Sequence, residues 1–161
     1  MSRAYFAGIL IMTLAVGGCA SRSRTTSSAS PANASERLTS ATLTFRTLKD
    51  GKDEKSSVTA QLLRNGNELA ADVTSTGSEF DDNTTAAPLA MALRGPFDRD
   101  DARSGQLRLR LTPDGDDTWT FNVDLVLRFA DESQRNYSWP AIRLDEKAPE
   151  RSLVLSGAQG P

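Results

Sequence analysis

Three short stretches hold most of the side chains that could do chemistry. Asp50, Asp53 and Glu54 form the first, Glu79, Asp81 and Asp82 the second, and Asp114, Asp116 and Asp117 the third. Crowded carboxylates repel one another unless a cation holds them, and hard oxygen ligands on flexible loops suit Ca²⁺. The three stretches make such a site only if the fold gathers them at one end. They also suit solvated turns, because Asp and Gly are turn formers. Lys49, Lys52 and Lys55 can neutralise the first stretch without a metal. None of the three has the spacing of the helix-flanked calcium loop. Two acids across a cleft could hydrolyse a glycan, but acids in the exposed turns of a small domain have little cleft to work in. With no histidine in the chain, Ser-His-Asp and Cys-His catalysis, imidazole zinc sites and histidine pH switching are excluded. The expectation is a non-catalytic protein.

The single cysteine, Cys19, carries a second kind of chemistry. Arg3 precedes an apolar run, Ala4 to Val16, broken only by Thr13. The run is too short to cross a bilayer as a permanent helix, and it reads as an export signal. It ends Val16-Gly17-Gly18-Cys19. This resembles the lipobox of bacterial lipoproteins, with Val16, Gly17 and Gly18 as the peptidase recognition positions. The resemblance implies a diacylglycerol on the Cys19 thiol and an acylated new amino terminus, palmitate being the expected chain. Two or three acyl chains anchor a protein essentially permanently. Ala20 stands where an aspartate would favour the inner membrane, so the resemblance implies an outer-membrane anchor facing the periplasm. The competing reading is an ordinary secretory signal with an incidental or buried cysteine.

These signals divide the chain. Residues 1–18 are the expected signal peptide. Residues 19–35 are the lipidated cysteine and a Ser/Thr/Ala-rich tether without a large apolar side chain, expected to be a flexible leash. Residues 36–157 are one domain, and 158–161 a disordered tail. Without Arg3, Arg22 and Arg24 the remaining chain has about five more acidic than basic residues. No basic patch is evident, so no nucleic-acid partner is expected. With one cysteine there can be no internal disulfide, and stability must come from the core or from a metal.

The elements that would position the acidic stretches are strands. Trp119, Phe121, Val123, Leu125, Leu127 and Phe129 occupy every second position, which puts six side chains on one face of an extended strand. Similar alternation marks strands around Ala41–Phe45, Val58–Leu62, Leu69–Val73, Leu89–Leu93 and Leu107–Leu111. Arg135–Leu144 reads as a seventh strand, broken at Pro140, and Leu153 with Leu155 as a short last one. Asn65-Gly66 is a hairpin signal, because both residues tolerate positive φ. Asp98 to Arg103 reads as one helical turn. Roughly eight strands with polar turns predict an all-β, single antiparallel β-sandwich. Trp119 is expected to anchor the core, and Tyr137 and Trp139 to form the facing layer. Phe80 and Phe97 lie in polar loops, either tucked under them or exposed as tips.

Asp116-Asp117-Thr118-Trp119-Thr120-Phe121-Asn122 contains a D-T-W-x-F-N motif. It is similar to a motif of secreted bacterial β-sandwich domains of the calcium-dependent lipid-binding and PLAT type. In those domains a first strand runs into an Asp/Lys-rich loop, as Phe45 to Lys55 does here. The resemblance spans about Ala41 to Asp131. It implies metal-binding loops at one end, with Asp50, Asp53, Asp117 and Asn122 as the carried-over ligands. Asp116, Asp81 and Asp82 are possible further ones. The expected function is a lipid-anchored binding or structural module, with an envelope protein, glycan or lipid headgroup met at the acidic loops. The alternative is an envelope-assembly or accessory lipoprotein that binds a protein partner without metal.

Overall fold

The computed structural model describes residues 34–157. Val16, Gly17, Gly18, Cys19 and most of the expected tether lie outside the described residues, as does the expected tail. The described residues open on a turn, Ala34–Glu36. This turn is tied down where the Asp131 N–H donates to the Ser35 carbonyl at 3.0 Å.

Among the described residues nine strands form two antiparallel sheets. They are β1 (Leu38–Lys49), β2 (Ser57–Arg64), β3 (Glu68–Ser75), β4 (Leu89–Ala90), β5 (Ala92–Leu93), β6 (Gln106–Thr112), β7 (Thr118–Phe129), β8 (Gln134–Asp145) and β9 (Glu150–Val154). One sheet runs β4-β1-β7-β8 and the other β5-β3-β2-β6-β9. The alternating apolar residues of β1, β7, β2 and β6 face inward and form one buried cluster. This is the all-β sandwich expected from the alternation. Phe80 and Phe97 are both buried, tucked under their loops where their rings leave water.

The expected fourth strand is two pieces belonging to different sheets. Leu89 and Ala90 pair with β1, while Ala92 and Leu93 pair with β3. Between them the buried Met91 donates its N–H to the Ala41 carbonyl at 2.9 Å. The apolar alternation continues through the switch, but only Leu89 and Met91 pack on the core, while Leu93 is exposed. Residues 84–95 therefore run along the edges of both sheets on one side of the sandwich.

Pro140 does not break β8. It sits on an edge strand, where its missing N–H costs no ladder bond, beside a bulge in the β7–β8 register between Phe121 and Val123. Ala141 takes a left-handed conformation (φ 52°) and donates its N–H to Asn122 Oδ1 at 2.9 Å. Tyr137 is fully buried and donates its hydroxyl to the Ala102 carbonyl at 3.1 Å. Trp139 stacks on Tyr137 with centroids 6.0 Å apart but is only partly buried, at the edge of the sheet. Asp101–Ser104 is the short helix α1.

A carboxylate clasp holds the β7–β8 corner. Asp131 accepts from the Ser133 hydroxyl at 2.6 Å and from the Ser133 N–H at 3.1 Å, and pairs with Arg99. These donors, the Ser133 hydroxyl foremost, hold the Asp131 carboxyl below its ordinary 3.8. A lowered folded value adds stability that is present above the unfolded value and lost as pH falls through the folded one. Asp131→Asn is therefore expected to lower Tm at pH 7, with the difference from the parent shrinking as pH falls below the ordinary 3.8. Melting curves across pH check it, and an equal difference at both ends of the range would contradict it.

Candidate functional site: the acidic loop end

The three acidic stretches do meet at one end of the sandwich. The β1–β2 loop lies between the other two. Its Lys52 exchanges backbone hydrogen bonds with Phe80 of the β3–β4 loop, at 3.2 and 3.0 Å. Gly51 donates its N–H to Asp82 Oδ1 at 2.8 Å. On the other side Asp53 N–H points to Asp117 Oδ2 at 3.4 Å, and Asp114 N–H donates to the Ser56 hydroxyl at 2.9 Å. Asp50 provides the corner by adopting left-handed backbone (φ 52°), which Asp tolerates better than most residues. Gly51 leaves no room for a side chain, because a methyl group there would collide with the Phe80 carbonyl.

At the centre of this end lies a positive charge from the chain itself. Lys52 is fully buried. Its ammonium donates to the carbonyls of Asp53 (2.8 Å), Ser56 (2.7 Å) and Ser78. An ammonium has three N–H donors, and three carbonyls receive them. The Phe80 ring lies 5.0 Å from the nitrogen, within cation–π range. Burial pulls the Lys52 pKa below the ordinary lysine value, while Asp117, then Asp53, Glu54 and Glu79, pull the other way. One side chain thus ties the first loop to itself and to the second, and supplies charge beside the third.

Beneath the loops four aromatic rings form a floor. Trp119 stacks on Phe121 with centroids 3.9 Å apart and meets Phe45 and Phe80 at 5.0 and 5.2 Å. The Trp119 indole N–H donates to the Thr47 hydroxyl at 3.1 Å. Its polar atom is satisfied inside the core, so Trp119 is an anchor and not a ligand platform.

The expected ligand set is divided. Asp53 and Asp117 are brought together, with Asp117 nearly buried. Asp82 is drawn in by the Gly51 N–H, while Asp50, Asp81 and Asp116 are exposed. Asn122 stands on the outer face of β7, opposite Arg46 of β1, with its oxygen committed to Ala141. Among the described residues no three acids stand where one metal ion could be held. The donor set does not fit Ca²⁺ at the loop centre either, because the converging carbonyls there are filled by a buried ammonium. Sequence reasoning counted Lys52 only as one of three neutralising lysines. Ser56 and Ser78, which present carbonyls to it, carried no signal.

Among the described residues, shallow hollows lie elsewhere. One on the outer face of the four-stranded sheet, about 290 Å³, is lined by Arg46, Asn122, Asp124, Ser138, Trp139 and Pro140. Another on the five-stranded sheet, about 240 Å³, is lined by Thr59, Gln61, Arg108, Arg110, Thr112 and Glu150. Two more are at the end opposite the acidic loops. No known family model, curated protein or solved structure matches this chain.

Proposed function

We propose that this chain is a lipid-anchored envelope lipoprotein whose β-sandwich is a non-catalytic module that binds a protein partner without a metal. The anchoring rests on Val16-Gly17-Gly18-Cys19 and the export signal before it. The observation that carries the metal-free reading is the buried Lys52 ammonium among three carbonyls. A loop end organised by its own cation needs no ion from the medium. Binding is then left to faces and edges. The strap of residues 84–95 occupies one side of the sandwich, while β8 and β9 are the outer strands on the other. An open strand edge with unpaired N–H and C=O groups is a ready surface for another polypeptide.

Labelling cells with an alkyne analogue of palmitate tests the anchor. The parent chain is expected to take label and fractionate with membranes, and Cys19→Ser to lose both. Membrane association should survive an EDTA wash. An unlabelled parent chain, or one released by EDTA, would overturn the reading.

A further inference from the structure

A sheet edge is open only where backbone N–H and C=O groups point outward with nothing to meet. β4 and β5, the outer strands on one side, are two residues long each and lie within the strap of residues 84–95. β8, on the other side, is long but interrupted. The Phe129 N–H donates to the Ser133 carbonyl at 2.9 Å, at the head of the β7–β8 register. Antiparallel residues alternate between bonding to their partner strand and facing away from it. Gln134, Asn136, Ser138 and Pro140 therefore face away from β7. The run stops at Pro140, which has no N–H, and at Ala141, whose left-handed backbone turns the strand. Proline and bulges blunt an edge against pairing in this way.

The backbone of β9 has no such interruption. Leu111 donates its N–H to the Pro149 carbonyl at 2.8 Å, and Leu155 to the Gly105 carbonyl at 3.0 Å. These two bonds bracket the β6–β9 register. By the same alternation Arg151 and Leu153 bond to β6, while Glu150, Ser152 and Val154 turn their N–H and C=O groups outward. Donors and acceptors repeating at every second residue are what another extended polypeptide satisfies. All residues of β9 but Leu153 are exposed. Val154 is 54 % exposed on this edge, so an apolar residue beside it would take it out of water.

One side chain selects what can pair there. Arg151 lies opposite the buried Leu109 of β6, so it has the parity of the core face, yet it is exposed at the edge. It makes no ion pair among the described residues. An added strand would put Arg151 in a non-hydrogen-bonded pair, the kind in which facing side chains come closest. An acidic residue there gains a cross-strand partner, and a basic one is repelled. The same arginine disfavours a second copy of this chain. Pairing β9 with itself over its whole length centres on Ser152 and sets the two Arg151 residues diagonally on one face, about 7–8 Å apart. We propose that β9 is a strand-addition site for an extended segment of another protein, apolar opposite Leu153 and Val154 and acidic opposite Arg151. The proposal rests on the reading of the sandwich as a module that binds a protein partner.

A strand supplied on the same chain tests it. Residues 19–161 with Cys19→Ser are extended after Pro161 by a short Gly-Ser linker and the segment Val-Val-Thr-Glu-Lys. The segment returns antiparallel to β9 with its glutamate opposite Arg151, and the linker holds it at a millimolar effective concentration. Amide hydrogen exchange at Glu150, Ser152 and Val154 is expected to slow several-fold, with Arg151 and Leu153, already bonded to β6, unchanged. With the last two residues exchanged, as Val-Val-Thr-Lys-Glu, the slowing is expected to be several-fold smaller, and Arg151→Glu to reverse the preference. No slowing, equal slowing by both segments, slowing at Asn136 and Ser138 in place of β9, or a dimer of the unextended chain with the same amides slowed would overturn the proposal. Because the segment is part of the chain, these outcomes are independent of acylation and of EDTA, which test the wider reading.

Discussion

Lys52→Met is expected to lower stability by about 3 kcal/mol and Tm by on the order of 10 °C. Methionine nearly matches the stem in length and apolar character, so the change isolates the ammonium. Three carbonyls, of Asp53, Ser56 and Ser78, would lose their donor. A buried acceptor left without a partner costs about 1–3 kcal/mol. Asp117, nearly buried beside the loop, would lose its neighbouring positive charge as well. Desolvating an ammonium is itself costly, and this offsets part of the loss, so the expected figure lies well below the sum. Lys49→Met and Lys55→Met are the controls. Both side chains are largely exposed, with ion pairs at a loose 3.9 Å, and changes at such sites are usually within about 0.5 kcal/mol. Thermal or urea melts of the three variants separate a buried strut from surface neutralisation. Equal, small effects at all three positions would contradict the assignment of Lys52.

Trp119→Ala should cost more, about 4 kcal/mol. The indole is fully buried and meets three other rings. Its removal leaves a large void under the loops that Phe45, Phe80 and Phe121 cannot refill, being fixed on β1, the β3–β4 loop and β7. Thr47→Val removes only the acceptor of the indole N–H, and is expected to cost about 1 kcal/mol. The two residues share one hydrogen bond, so their effects should fall short of additive in a double-mutant cycle. A loss below about 2 kcal/mol for Trp119→Ala in urea melts would mean that the ring floor does not support the loop end.

The sandwich was legible because its strands alternate. Trp119 to Phe129 announces one buried face, and the structure uses it as such. Whether the acidic loops converge was open in the sequence; the structure brings them to one end. What the alternation could not show was a change of partner within a strand. Leu89 to Leu93 keeps its period through the switch at Met91, yet the period ends on an exposed Leu93, so it reports neither the change of sheet nor the end of the buried face. Pro140 misled in the opposite way, suggesting a break where an edge strand and a bulge absorb it. Lys52 was hidden for another reason. Three lysines at three-residue spacing look alike in sequence, and only the fold shows that one of them turns inward. Asn122 follows the motif in sequence, yet strand parity sends it to the outer face, away from the loops that Asp53 and Asp117 join.

The central claim is that the loop end carries its own cation. Thermal unfolding of residues 34–161 in EDTA, in Mg²⁺ and in millimolar Ca²⁺ tests it most directly. A site selective for the folded state would stabilise by RT ln(1 + [L]/Kd), about 2.7 kcal/mol at a hundredfold excess over Kd, or several degrees. The same Tm is predicted in all three conditions. A rise specific to Ca²⁺ and abolished by Asp117→Ala would contradict the claim and make the acidic loops a calcium site.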